Sequence, residues 1–199
     1  MWHRAVRWSA VALAFSLALP AFAQEGWSPY QFQANERYRY ELKWIQGEET
    51  SAGHLALAVL PASDGRLKIE IDGKLGDAEC NASVTVESAE AVPQQMIMSC
   101  MMMGPAMMLL ASPSIGYLAG RELGDQDEWS YSQGGESASF RVEGKCSHAG
   151  QTGQLAVMRH NDDVRMKTCV GKKLAMPLAM TLLEEDGSSV HAKLVKYAK

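Results

Sequence analysis

Two kinds of sulfur carry most of the chemistry this sequence offers. Between Ala91 and Gly120 there is no Asp, Glu, Lys, Arg or His, and seven residues are methionine: Met96, Met98, Met101, Met102, Met103, Met107 and Met108. A thioether is a soft ligand that suits Cu(I), and a copper site needs two or three sulfurs converging. Met98, Met101, Met103 and Met107 are the set such a site would use. The same side chain is flexible and polarizable, so it also fills irregular core gaps or lines an adaptable apolar surface. On that reading Met96, Met98, Met103, Met107, Leu110 and Ile115 line a cleft for an apolar or lipid-like ligand. Met96 and Met98 would share a strand face, and Met103 and Met107 a helix face. The segment mixes methionine with Ile97, Leu109 and Leu110, without a histidine or a repeated motif. Plain core packing is therefore the competing reading, and no metal or cofactor is expected.

The second sulfur set is Cys80, Cys100, Cys146 and Cys169. An even count in an exported chain reads as two disulfides, and four cysteines allow three pairings. Cys80 and Cys100 are equidistant from a bend near Glu90, so an antiparallel pair would set them opposite each other and leave Cys146 to Cys169. Each bridge closes a loop of roughly 20 residues, worth about 3 kcal/mol in the chain-entropy view. A metal or redox site is the rival, but there is no C-x-x-C, and Cys146-Ser147-His148 alone is a poor ligand set.

Patterns for catalysis are missing. The chain has no G-x-S-x-G, H-E-x-x-H, P-loop or dinucleotide fingerprint. His54, His148, His160 and His191 are scattered and read as surface or turn residues. The sequence therefore points away from an enzyme, with a hydrolase built on a His–carboxylate–nucleophile cluster as the version that would have to be found in the fold.

Strands must position these groups. Tyr38 to Trp44 alternates apolar and charged residues, as a half-buried strand does. Leu55, Leu57 and Val59 share a face, Pro61 to Gly65 turns the chain, and Leu67, Ile69 and Ile71 alternate with charge. These three form an antiparallel meander. Glu79 to Cys100 reads as another strand pair bent near Glu87–Glu90. Gly104-Pro105 and Ser112-Pro113 each open a short helix, the second with Ile115, Leu118 and Ala119 on one face. Strands resume at Trp129–Tyr131, Ala138–Lys145, Gln154–Arg159 and Val164–Val170, the last two around a turn at His160–Asp163. Leu174 to Leu182 alternates, with Pro177 demoting it to an edge or bulge, and Val190 to Tyr197 ends the chain. The expected fold is mainly β. Nine or ten strands make a strongly curved antiparallel sheet or half-open barrel, its concave side plugged by one or two short helices.

Phe32-Gln33-Ala34-Asn35-Glu36-Arg37-Tyr38-Arg39-Tyr40 resembles the F-x-x-G-E-R-L-x-Y opening of a group of exported bacterial β-rich proteins catalogued as a domain of unknown function. Gly53 before alternating apolar residues resembles their next strand. Met176-Pro177-Leu178 and Leu194-Val195-Lys196-Tyr197 are similar to their end. The chain departs from the pattern at Asn35, where the group has Gly, and at Tyr38, where it has Leu. The cysteines and methionines lie outside it. The resemblance implies a β-rich exported domain and supplies no catalytic residue.

Arg4 and Arg7, the apolar run Ser9–Leu19 and Ala21-Phe22-Ala23 read as a signal peptide, residues 1–23, cut before Gln24. The mature portion, 24–199, is expected to be a single β-rich domain with the Met-rich insert at 91–120, and it carries 17 basic against 23 acidic residues. No basic cluster suggests nucleic acid. The breakers Pro93, Gly104, Pro105, Pro113, Gly116 and Gly120 argue against a membrane span in the insert. The resulting expectation is a periplasmic, non-enzymatic protein that binds an apolar small molecule or an envelope partner. A copper-binding protein and a purely structural envelope protein are the alternatives.

Overall fold

A computed structural model describes residues 30–110, 118, 121, 123–124, 127–133 and 136–199. The signal segment, its cleavage site, Ile115 and most of the helix expected from Ser112 lie outside the described residues.

Ten strands form one antiparallel sheet. The first four, β1 (Arg37–Gln46), β2 (Glu49–Pro61), β3 (Leu67–Leu75) and β4 (Ala78–Val86), make a meander. The last six make a second one: β5 (Glu128–Gln133), β6 (Glu136–His148), β7 (Gln151–His160), β8 (Asp163–Val170), β9 (Ala179–Leu183) and β10 (Ser189–Ala198). Pairing of β1 with β10 joins the two, giving the order β4-β3-β2-β1-β10-β9-β8-β7-β6-β5. The sheet does not close, because β4 and β5 stand at opposite edges. Helices α1 (Val92–Ser99) and α2 (Gly104–Leu110) follow β4, linked by a 3-10 turn at Met101–Met103.

Period-2 burial sets the two faces. Tyr38, Tyr40 and Leu42 are buried while Arg37, Arg39, Glu41 and Lys43 are exposed, and the same alternation runs through β2, β3 and β10. The β7–β8 turn is the short one that the sequence suggests. Asn161 and Asp162 both take positive φ, 48° and 69°, which suits a two-residue hairpin whose twist matches its strands.

Two glycines allow the sheet to curl. A Cβ on Gly53 in β2 would lie 1.8 Å from the carbonyl oxygen of Lys74 in β3, and one on Gly153 in β7 would lie 2.3 Å from that of Val170. β2 and β7 are each third from an edge, so both margins fold inward at a position where only hydrogen fits. The Cys146–Cys169 bridge measures the second crease. It joins β6 to β8 across β7 with a Cα separation of 6.1 Å, whereas strands two apart in a flat sheet lie roughly 9.5 Å apart.

The sequence expectation is corrected between Val86 and Cys100. Only Ala78–Val86 is strand, and Val92–Ser99 is helix with Pro93 in its first turn, where the missing N–H costs nothing. Cys80 and Cys100 are joined, Cα atoms 5.3 Å apart, but as a bolt between β4 and the end of α1 rather than across two strands. The run from Leu174 is strand only from Ala179. Pro177 precedes it in a loop and its carbonyl accepts the Tyr40 hydroxyl at 2.6 Å.

Candidate functional site: the concave face and its open end

From β4 to β5 the chain must travel from one edge of the sheet to the other. The described first part of that link, through Leu110, enters the concavity, and its buried methionines lie there. In α1 the buried positions Val92 and Met96, with Cys100 just beyond, recur every fourth residue, the spacing of one helix face. Met103 enters the 3-10 turn and reaches Gly73 of β3. A Cβ there would sit 2.8 Å from its sulfur, so the glycine leaves a notch that the thioether fills. Met107 and Leu110 of α2 follow. Met96, Met103, Met107 and Leu110 are each no more than 2% exposed and belong to one core with Tyr40, Leu55 and Leu178.

Met98 is a correction. It is 61% exposed, because two residues along a helix is about 200° of rotation, which puts it opposite Met96. Met101 and Met102 are 67% and 79% exposed. The four residues considered for copper are therefore divided: Met98 and Met101 face outward, Met103 and Met107 lie in the core. Among the described residues no group of three or more His, Cys, Asp or Glu is placed to hold a metal ion.

Among the described residues, the plug leaves one end of the concave face open. There a cavity of about 710 Å³ is floored by Trp44, Met158, Leu182 and Val190, with Ala138 beside them. Trp44 continues the inward alternation of Tyr38, Tyr40 and Leu42, and it is half-buried against the core. The rim is polar: Arg165 contacts Glu185 at 3.1 Å, with Gln46, His160, Glu184, Asp186 and Ser188 also lining it. The volume lies in the range of small-molecule pockets, and an apolar floor with a few polar groups at the mouth is their usual chemistry.

A second hollow of about 590 Å³ lies on the outer face, over Ala56 and Ala58. Arg37 and Arg39 stand on one side and Glu70 and Asp72 on the other, two residues from each neighbouring strand in register with the alanines. Lys68, 2.7 Å from Glu70, holds that carboxyl below the usual range, and Arg37 adds to the effect. Opposite charges face each other across short alanines, which suits a solvated face.

No known family model matches the chain, and no curated protein matches it. Among solved structures it is similar to MucB in the MucA/MucB complex of Pseudomonas aeruginosa, at 14% identity and a TM-score of 0.40, covering 82% of this chain and 51% of that one. A putative exported protein with a YmcC-like fold from Bacteroides fragilis is similar at 6% identity and a TM-score of 0.39, covering 85% and 98%. A putative outer membrane lipoprotein-sorting protein domain from Vibrio parahaemolyticus gives 10% and 0.26, covering 88% and 89%. The chain spans about half the length of the MucB chain. Likeness at this level leaves function to be argued from geometry.

Two arrangements were not legible in the sequence. His191 has both ring nitrogens engaged by hydroxyls, Ser189 at 2.9 Å and Thr181 at 3.2 Å, rather than by a carboxylate. Burial, with Lys43 opposite on β1, pushes its pKa down. His54 pairs with Asp72 at 2.9 Å on the exposed face. The Trp44 cavity itself was also missed. Its lining comes from β1, β6, β7, β8, β9 and β10, and no local pattern brings six strands together. The available signal was the inward alternation that ends on a tryptophan.

Proposed function

We propose that this chain is an exported, non-enzymatic binding protein of the bacterial envelope. It takes an apolar, lipid-like ligand, or an apolar segment of an envelope partner, at the open end of its concave face. The observation that carries this is the cavity of about 710 Å³ floored by Trp44, Met158, Leu182 and Val190. A half-buried tryptophan and methionine there keep apolar surface within reach of solvent, and a ligand would complete the burial that the plug leaves unfinished. Two disulfides fit an oxidising compartment, and the signal-like start and the resemblance of the Phe32–Tyr40 motif support export. No helix among the described residues is long and apolar enough to cross a membrane. The methionines divide between core and surface. Met96, Met103 and Met107 hold the plug in place, while Met98, Met101 and Met102 form an apolar lip on its outside.

Native mass spectrometry of protein purified from its own envelope tests the reading. Wild-type protein retains an apolar adduct, seen as added mass, and Leu182→Glu or Trp44→Ser removes it while the melting transition persists. Wild-type protein that carries no adduct and does not take up palmitate would overturn the proposal.

A further inference from the structure

The chain carries 23 acidic against 19 basic residues, yet one cleft reverses that balance. Lys145, Lys172 and Lys173 line a hollow of about 530 Å³, and no Asp or Glu is among its described lining residues. No ion pair engages any of the three lysines among the described residues. Leu123, Val170 and Leu174 supply an apolar floor, each no more than 8% exposed. The site is covalently braced. Lys145 precedes Cys146, Val170 follows Cys169, and the bridge between those cysteines holds the two segments at a Cα distance of 6.1 Å. The crease at Gly153 lies in the same wall. Beside it Gln154, also lining the cleft, has a buried side-chain oxygen that accepts no hydrogen bond.

A hollow lined by three lysines and, among its described lining residues, no carboxylate attracts an anion. We infer that this cleft binds a small anionic amphiphile. Its phosphate or carboxylate lies among Lys145, Lys172 and Lys173, and its short apolar body rests on Leu123, Val170 and Leu174. The site is built on β6, β7, β8 and the loop after β8, at the crease, and it stands whether or not the Trp44 cavity is occupied.

Calorimetric titration of the mature chain with octyl phosphate tests this, with inorganic phosphate, octyl glucoside and phosphatidylglycerol vesicles as separate arms. Octyl phosphate is expected to bind one site more tightly than either inorganic phosphate or octyl glucoside, and more weakly as salt is raised. Lys172→Glu/Lys173→Glu weakens it at least about tenfold. Lys43→Glu/Lys167→Glu, the same charge change elsewhere on the sheet, leaves it within about twofold, and Trp44→Ser leaves it unchanged. Equal binding of octyl phosphate and octyl glucoside, or equal losses in the two double variants, would overturn the inference. So would binding to vesicles without binding to octyl phosphate, which would mark a membrane surface rather than a ligand site.

Discussion

Glu36 shows how one side chain can tie the ends of the chain together. It is fully buried without a cation, and its carboxylate accepts three hydrogen bonds of 3.0 Å, from the Gln33 N–H and the hydroxyls of Tyr38 and Tyr197. Burial, with the Glu36 charge beside them, raises both tyrosine pKa values above the ordinary range, so both hydroxyls are firmly protonated donors. A buried carboxylate is tolerable when donors replace its water. Tyr38 and Tyr197 also pack ring against ring, centroids 5.2 Å apart. Glu36→Ala leaves three donors without an acceptor and is expected to cost about 3 kcal/mol, read as a lower urea midpoint. A loss below about 1 kcal/mol would mean that the clasp does not couple the ends. The motif around Glu36 was legible in the sequence. Its partner Tyr197, 161 residues away, was not.

Among the elements, the strands follow from alternation and the plug does not. Met96 and Met98 satisfy a strand pattern if taken alone, whereas Val92, Met96 and Cys100 satisfy a helical one. The second wins because the chain leaves the edge strand β4 at Val86 and must turn into the concavity, where a helix satisfies its own backbone groups without a neighbouring strand. Close approach of neighbouring strands is likewise an element-scale property, and at Gly53 and Gly153 it leaves room only for glycine. Gly53→Ala is expected to destabilise by about 3 kcal/mol, because its Cβ would meet the backbone of Lys74 at 1.8 Å, and backbone moves less readily than a side chain. Gly171→Ala is the contrast. Its Cβ would meet nothing closer than 3.5 Å, and the change is expected to shift stability by less than about 1 kcal/mol. Equal effects in thermal melts would show that the crease at β2 is not what requires glycine.

For the molecule as a whole, the bridges and the plug act together. Cys80–Cys100 fastens the plug to one edge of the sheet, and Cys146–Cys169 pins the crease on the opposite half. Replacing both cysteines of either pair with serine is expected to cost about 3 kcal/mol through the unfolded chain. The consequences should differ. Loss of the first frees the plug, so hydrogen exchange quickens in α1 and α2. Loss of the second opens the lysine cleft, so exchange quickens in β7 and β8. Uniform exchange in the two variants would show that neither bridge acts locally.

By itself the sequence determined the β class, the two sets of alternating strands, and a cysteine count that suits two bridges. Each of these is written in composition or in a period of two along the chain. Only the tertiary structure decided which methionines are core and which are lip, that Cys146 and Cys169 span a folded strand, and that a tryptophan and three lysines line separate hollows. Those outcomes depend on where the link between opposite sheet edges must pass and how sharply two glycines let the sheet bend. They are contacts between residues far apart in sequence, which no local period encodes.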